Sequence, residues 1–227
     1  MKRAPGDKSA TRAEAQRHRI LDAAEQCFIA DGFHAATMAM IAERAGISVG
    51  LTYRYFASKQ AIVLAIIERQ LQLTRARIAS LHGSVDLVTG LVECFQELRA
   101  GARGVMNATL FLEMSAEATR VPGIAAALRH ADEITRGDFE AWLSRAKADG
   151  GHGLRAREAA AAALLMNLLF AGLAVRAVRD PDLRVGALRR AVALGLAATT
   201  STPTAAGSAR RSILCQAAHK GRGSAVD

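Results

Sequence analysis

The chain has 227 residues, room for one or two domains around a sizeable core, and is 51% hydrophobic but only 4% aromatic. Its wealth of Ala, Leu and Arg, with no run of alternating β-branched residues, excludes a sheet-built fold and predicts an all-α one. A net charge of +9 suits a polyanionic partner; it divides as +3 in residues 1–60, +3 in 61–198 and +3 in 199–227, so it is densest at the two ends.

Residues 1–10 form a basic arm with Pro5 and Gly6. The spacing predicts a helix over 11–30, because Ile20, Ala24 and Phe28 recur every four residues and Leu21 and Cys27 widen the stripe. Asp31 and Gly32 end it, and Phe33 packs back. Thr37 is an N-cap for a second helix whose apolar face is Ile41, Ala42 and Ala45. Gly46 stands where a helix needs a positive-φ residue, Ile47 plugs the gap, and Ser48 caps a third helix over 49–56. Two short helices with a tight turn between them read as a helix–turn–helix, whose second helix lies in a major groove. Ser48, Val49, Gly50, Leu51 and Thr52 are then the positions for base edges. Leu51 and the Thr52 methyl suit thymine methyls, and no Arg, Asn or Gln is present to define an operator sequence. Thr37 offers its hydroxyl and free backbone N–H groups to a phosphate, or serves purely as a cap. Lys59, just after the N-cap Ser58 of the next helix, is a further phosphate candidate. Phe56 is assigned to the core, and Arg54 to a phosphate or to solvent.

The run Arg19 to Ala24, then Phe28, Asp31-Gly32-Phe33, Thr37, Ile41-Ala42, Ala45 to Ser48, Gly50, Tyr53, Tyr55-Phe56 and Ser58-Lys59 resembles the DNA-binding domain of the tetracycline-repressor (TetR) family, in register from about 17 to 63. The resemblance implies an all-α homodimeric transcriptional regulator, usually a repressor that a small-molecule effector releases from a palindromic operator in double-stranded DNA. It also implies that Tyr53 and Tyr55 clamp phosphates. Lys2, Arg3, Lys8 and Arg12 of the arm can brush the minor groove; a solvated tail is the alternative.

Beyond the helix–turn–helix domain, 11–58, a larger helical domain for ligand binding and dimerisation is expected over 59–199. Its predicted helices cover 59–81, 84–100, 105–119, 122–150, 155–179 and 183–198. A glycine-rich loop, 101–104, separates the second from the third, and Gly83 breaks the first. The implied effector pocket lies among the helices from 59 to 179. Phe95, Met106, Phe111, Met114, Trp142, Met166 and Phe170 are its apolar candidates, each with ordinary core as the alternative. Glu113, Asn107, His130 and Asn167 are the polar residues nearby, and Glu113 suits a cationic ligand, an arginine or solvent. Family members pair their last two helices across a two-fold axis; Leu164, Leu168, Leu169, Gly172, Ala187, Ala191 and Leu194 are the residues this implies here. Residues 159–175 are uncharged, yet they fall short of the ~20 residues of a span and hold Asn167, so a buried helix and no membrane are expected. The tail, 200–227, has a disordered composition.

Cys27, Cys94 and Cys215 stand far apart without C-x-x-C spacing, and the six histidines form no ligand pair, so no metal, cofactor or disulfide is expected. The start has no apolar segment of a secretion signal, which points to the cytoplasm. No nucleophile–base pair or phosphate-cradling loop after a strand supports an enzyme. The alternative to an effector-released repressor is a DNA-binding regulator without a ligand, an activator or an architectural factor.

Overall fold

The computed structural model describes residues 5–81, 86–101, 106–180 and 182–200. Among them the chain folds as nine helices and no strand, as the composition predicts. They are α1 (Pro5–Ala35), α2 (Met38–Arg44), α3 (Val49–Tyr55), α4 (Lys59–Ala79), α5 (Leu87–Ala100), α6 (Ala108–Ala118), α7 (Pro122–Ser144), α8 (Ala156–Arg179) and α9 (Val185–Thr200). Gly83, the loop residues Arg103 and Gly104, and the tail from 201 lie outside the described residues, as do Lys2 and Arg3.

Helix boundaries follow local hydrogen bonding. α1 starts at Pro5, not at 11, with a proline whose missing N–H costs nothing in a first turn. It breaks at Gly32, whose φ of +76° only glycine adopts cheaply, and residues 33–35 form one further turn. α6 starts at Ala108 rather than 105, because the Asn107 side chain accepts from the N–H groups of Thr109 (2.9 Å) and Leu110 (3.2 Å) and fixes the cap there. α7 ends at Ser144, well before the glycines at 150–153. The chain folds back at once: Gly153 N–H donates to Arg145 O (2.8 Å) and Leu154 N–H to Leu143 O (3.0 Å). That return sets the His152 ring against Trp142, with centroids 4.7 Å apart.

The apolar faces merge into three clusters. The first joins Ile20, Ala24, Phe28, Ile41, Phe56, Ile62, Val63 and Ile66 of the first four helices to Leu110 and Met114 of α6 and Ile124 of α7. The second gathers Leu91, Val92, Phe95 and Leu98 of α5, Ala108 of α6, Leu173, Ala174 and Ala177 of α8, and Leu188 and Val192 of α9. The third holds Ile78, Trp142, Leu143, Ala159 and Ala163. α6 therefore belongs to two cores at once.

The expected burial of α8 needs correction. Its 24 residues are long and apolar enough to cross a membrane by length and composition. One side is buried, because Ala159, Ala163 and Ala174 are small enough for close packing by neighbouring helices. The other side has no partner among the described residues: Leu164 is exposed and Leu168 is 62% exposed.

Candidate nucleic-acid interface

The α2–α3 unit is built from its caps. Thr37 Oγ1 accepts from Met40 N–H (3.2 Å), and Ser48 Oγ accepts from Leu51 N–H (3.2 Å). Gly46 makes the turn at φ +65°, and Ile47 N–H returns to Ala42 O (3.0 Å). Arg19 of α1 locks the turn from outside, its Nη2 donating to Ala45 O at 2.5 Å, a favourable use of a cation at a helix C-terminus. Sequence reasoning placed Arg19 in the motif without this role; its signal is a cation facing a short helix that ends in glycine. Arg17 lies over the Phe56 ring, 4.5 Å from its centroid.

This scaffold presents a narrow face of α3. Val49 is 41% exposed and Tyr53 52%, with Ser48, Gly50 and Arg54 exposed beside them. Positions 49, 50, 53 and 54 share one side of a helix. The face offers methyl groups, a stretch of bare backbone, a phenol and a guanidinium. Leu51 is half-buried at its edge. Thr37 is exposed at the N-terminus of α2, with the helix's unpaired N–H groups behind it.

Two assignments change. Thr52 is 0% exposed and its hydroxyl donates to Ser48 O (3.3 Å), so it faces the core and not the exposed side of α3. Lys59 does not stand free for a phosphate. Its ammonium donates to Phe33 O, to His34 O (3.2 Å) and to Ala36 O (2.8 Å), and it lies 4.4 Å from the centre of the Phe33 ring. All three of its protons are used, and burial pushes its pKa down while nearby Glu117 opposes the shift. Lys59→Met should therefore destabilise the fold by about 2 kcal/mol, because three carbonyls lose a charged donor. Denaturant unfolding measures it, and unchanged stability would return Lys59 to the phosphate set. Tyr55 is half-buried against the first cluster and stands off the exposed face, whereas Arg54 joins it, four residues after Gly50.

The expected pocket residues converge only in part. Met106 and Met114 belong to the first cluster, Trp142 to the third, and Phe95, Phe111, Met166 and Phe170 to the second. In that second group the Phe111 and Phe170 rings meet edge-to-face, 5.6 Å apart. Glu113 is committed elsewhere: its Oε2 accepts from Phe33 N–H at 2.9 Å. Asn107 is a cap, Asn167 Nδ2 reaches Asp132 O (3.4 Å), and His130 is exposed. An open cleft of about 400 Å³ between α4 and α7 is lined by Arg75, Asp138, Trp142 and Arg145 among others, and the Arg75–Asp138 ion pair (2.9 Å) lies in it. Of the expected dimer residues, Leu164, Leu168, Gly172, Ala191 and Leu194 are exposed. Leu169 and Ala187 are half-buried, Leu169 against the second cluster.

Comparison with known proteins matches residues 20–66 to the model for bacterial regulatory proteins of the tetR family. The chain is 36% identical over 124 residues to the transcriptional regulator UidR of Escherichia coli (strain K12), covering 55% of this chain and 62% of UidR. It is 31% identical over 90 residues to the transcriptional repressor AcnR of Corynebacterium glutamicum, 40% of this chain and 45% of AcnR. The match thus spans less than two thirds of these curated relatives. The structure of Salmonella enterica GusR superimposes with a TM-score of 0.57 at 27% identity, over 78% of this chain and 93% of GusR.

Proposed function

We propose that this chain, whose residues 20–66 match the model for bacterial regulatory proteins of the tetR family, is a regulator of that family and acts as a homodimeric, sequence-specific DNA-binding repressor of the cytoplasm. Each subunit inserts α3 into a major groove, and the two-fold axis sets the two helices one DNA turn apart, ~34–36 Å, to match a palindromic operator. The observation that carries the reading is the exposed side of α3, where Gly50 leaves bare backbone between Val49 and Tyr53. Thr37 and Tyr53 hold phosphates and Arg54 adds charge.

The two subunits pair through α8 and α9. Leu164, Leu168 and Gly172 follow each other at four-residue spacing and so line one stripe, open to solvent in the single chain. The effector is a small molecule that enters the second cluster around Phe95, Phe111, Met166 and Phe170. By binding one arrangement of the dimer better than the other it lowers operator affinity.

Selection of bound sequences from a random duplex library at fixed salt tests the reading. A two-fold palindrome is expected. Binding that enriches nothing and fades as salt rises would replace the repressor with an architectural factor. On the selected operator, Arg54→Ala should reduce the slope of log affinity against log salt by about one. Tyr53→Ala should weaken operator and scrambled duplex alike and leave the slope unchanged, because a phenol displaces no counterion.

A further inference from the structure

We propose that α6 holds the DNA-reading helices in register through a carboxylate clamp, Glu113 and Glu117, closed on the turn 33–36, so that a tilt of α6 moves the N-terminus of α2. The inference rests on the regulator reading above and adds the device that couples its two halves.

The turn is gripped from two directions. Glu113 and Glu117 lie four residues apart on α6 and hence on one side of it. Glu113 Oε2 accepts from Phe33 N–H (2.9 Å), and Glu117 Oε1 meets His34 Nε2 (3.0 Å). Glu117 is almost wholly buried, so its position is set by packing rather than by solvent. From α4, Lys59 holds the carbonyls of Phe33, His34 and Ala36 and covers the Phe33 ring. The turn itself is closed by Ala36 N–H donating to Gly32 O (3.2 Å). Thr37, the N-cap of α2 and a phosphate candidate, is the next residue. Nothing slack separates α6 from the DNA-facing end of α2.

The opposite face of α6 belongs to the other half of the molecule. Ala108 is buried in the second cluster, and Phe111 packs there with its ring edge-to-face on Phe170 of α8. Leu110 and Met114 belong to the first. A molecule that parts Phe111 from Phe170 must tilt α6, and the two carboxylates carry that tilt to the turn. Glu113, Glu117 and Lys59 are positioning residues that act on DNA through Thr37.

Two readouts test the clamp: hydrogen exchange of the Phe33 amide relative to that of Ala24, and the ratio of affinity for the selected operator to that for a scrambled duplex. Glu113→Ala should speed the Phe33 amide and lower the affinity ratio, each on the order of tenfold. Glu113→Gln keeps an accepting oxygen and should restore both. Phe111→Leu, changed within the second cluster, should speed the same amide in the wild-type background but add nothing to Glu113→Ala. A Phe33 amide indifferent to Phe111→Leu, or additive effects of the two substitutions, would overturn the clamp. So would an affinity ratio unmoved by Glu113→Ala. A wild-type chain that selects no operator would sink the regulator reading, and the exchange measurements would still decide whether α6 grips the turn.

Discussion

Replacing both Leu168 and Leu194 by aspartate should leave a folded chain that no longer pairs with a second copy. In the single chain these side chains are 62% and 74% exposed, so the substitutions remove little internal packing, and exposed changes of this kind usually shift stability by only about 0.5 kcal/mol. A two-fold interface of the kind proposed reuses each leucine, so four would be buried per dimer. At about 1.5–3 kcal/mol for each fully buried leucine, their loss removes several kcal/mol of association energy, and four carboxylates would face each other in its place. Gly172 and Gly195 support the same surface. A Cβ built at either meets nothing within 4 Å, so no contact among the described residues requires their smallness, whereas close approach by a partner would. Sedimentation at micromolar concentration should give a monomer with native helicity. Operator affinity should fall about 10²–10⁴-fold, since one recognition helix then binds without the local concentration supplied by its twin. A variant that remains a dimer would mean that another surface pairs.

How much of this was legible depends on the kind of information each residue carries. Caps and turns are local, so Thr37, Gly46 and Ser48 were readable from residue type and spacing alone: the two hydroxyls make their cap bonds and the glycine takes its positive φ. The four-residue period of Ile20, Ala24 and Phe28 likewise announced a helix face. Thr52 was misread because α3 has only seven residues, too few for a period to declare which side is inward. A threonine can be buried there because Ser48 O accepts its hydroxyl proton.

The position of Lys59 in its helix carries a signal against a free phosphate contact. A cation in the first turn of α4 opposes the helix dipole, so it needs acceptors of its own, and it finds them at the carbonyl end of α1. The pocket candidates divide for a different reason. Hydropathy marks Phe95, Met114 and Trp142 as core, but their division among three clusters depends on helix crossings that no local pattern encodes. Glu113 and Phe33 stand 80 residues apart, and only the packing of α6 on α1 brings them together.

Gly50→Ala should make the chain more stable and its DNA binding worse. Glycine inside a helix costs roughly 0.5–1 kcal/mol relative to alanine, and α3 is short enough for that cost to matter. Nothing among the described residues requires glycine there. Its φ is not positive, and a Cβ built at position 50 meets no atom within 4 Å. The cost makes sense if an external surface must come closer than a methyl group allows, and residue 50 lies on the side of α3 with Val49 and Tyr53. Forcing a methyl into such a contact typically costs about 1–3 kcal/mol, which corresponds to roughly 5- to 150-fold in operator affinity. Gly137 of α7 supplies the control, since it too is exposed and a Cβ there meets nothing within 4 Å. Gly137→Ala should give the same gain in unfolding free energy with operator affinity unchanged. If Gly50→Ala binds operator as tightly as the parent, α3 does not bring its bare backbone against the base edges, and the recognition surface has to be sought elsewhere on the domain. If both alanines stabilise and only the one at 50 weakens binding, the glycine is the point of closest approach between α3 and DNA.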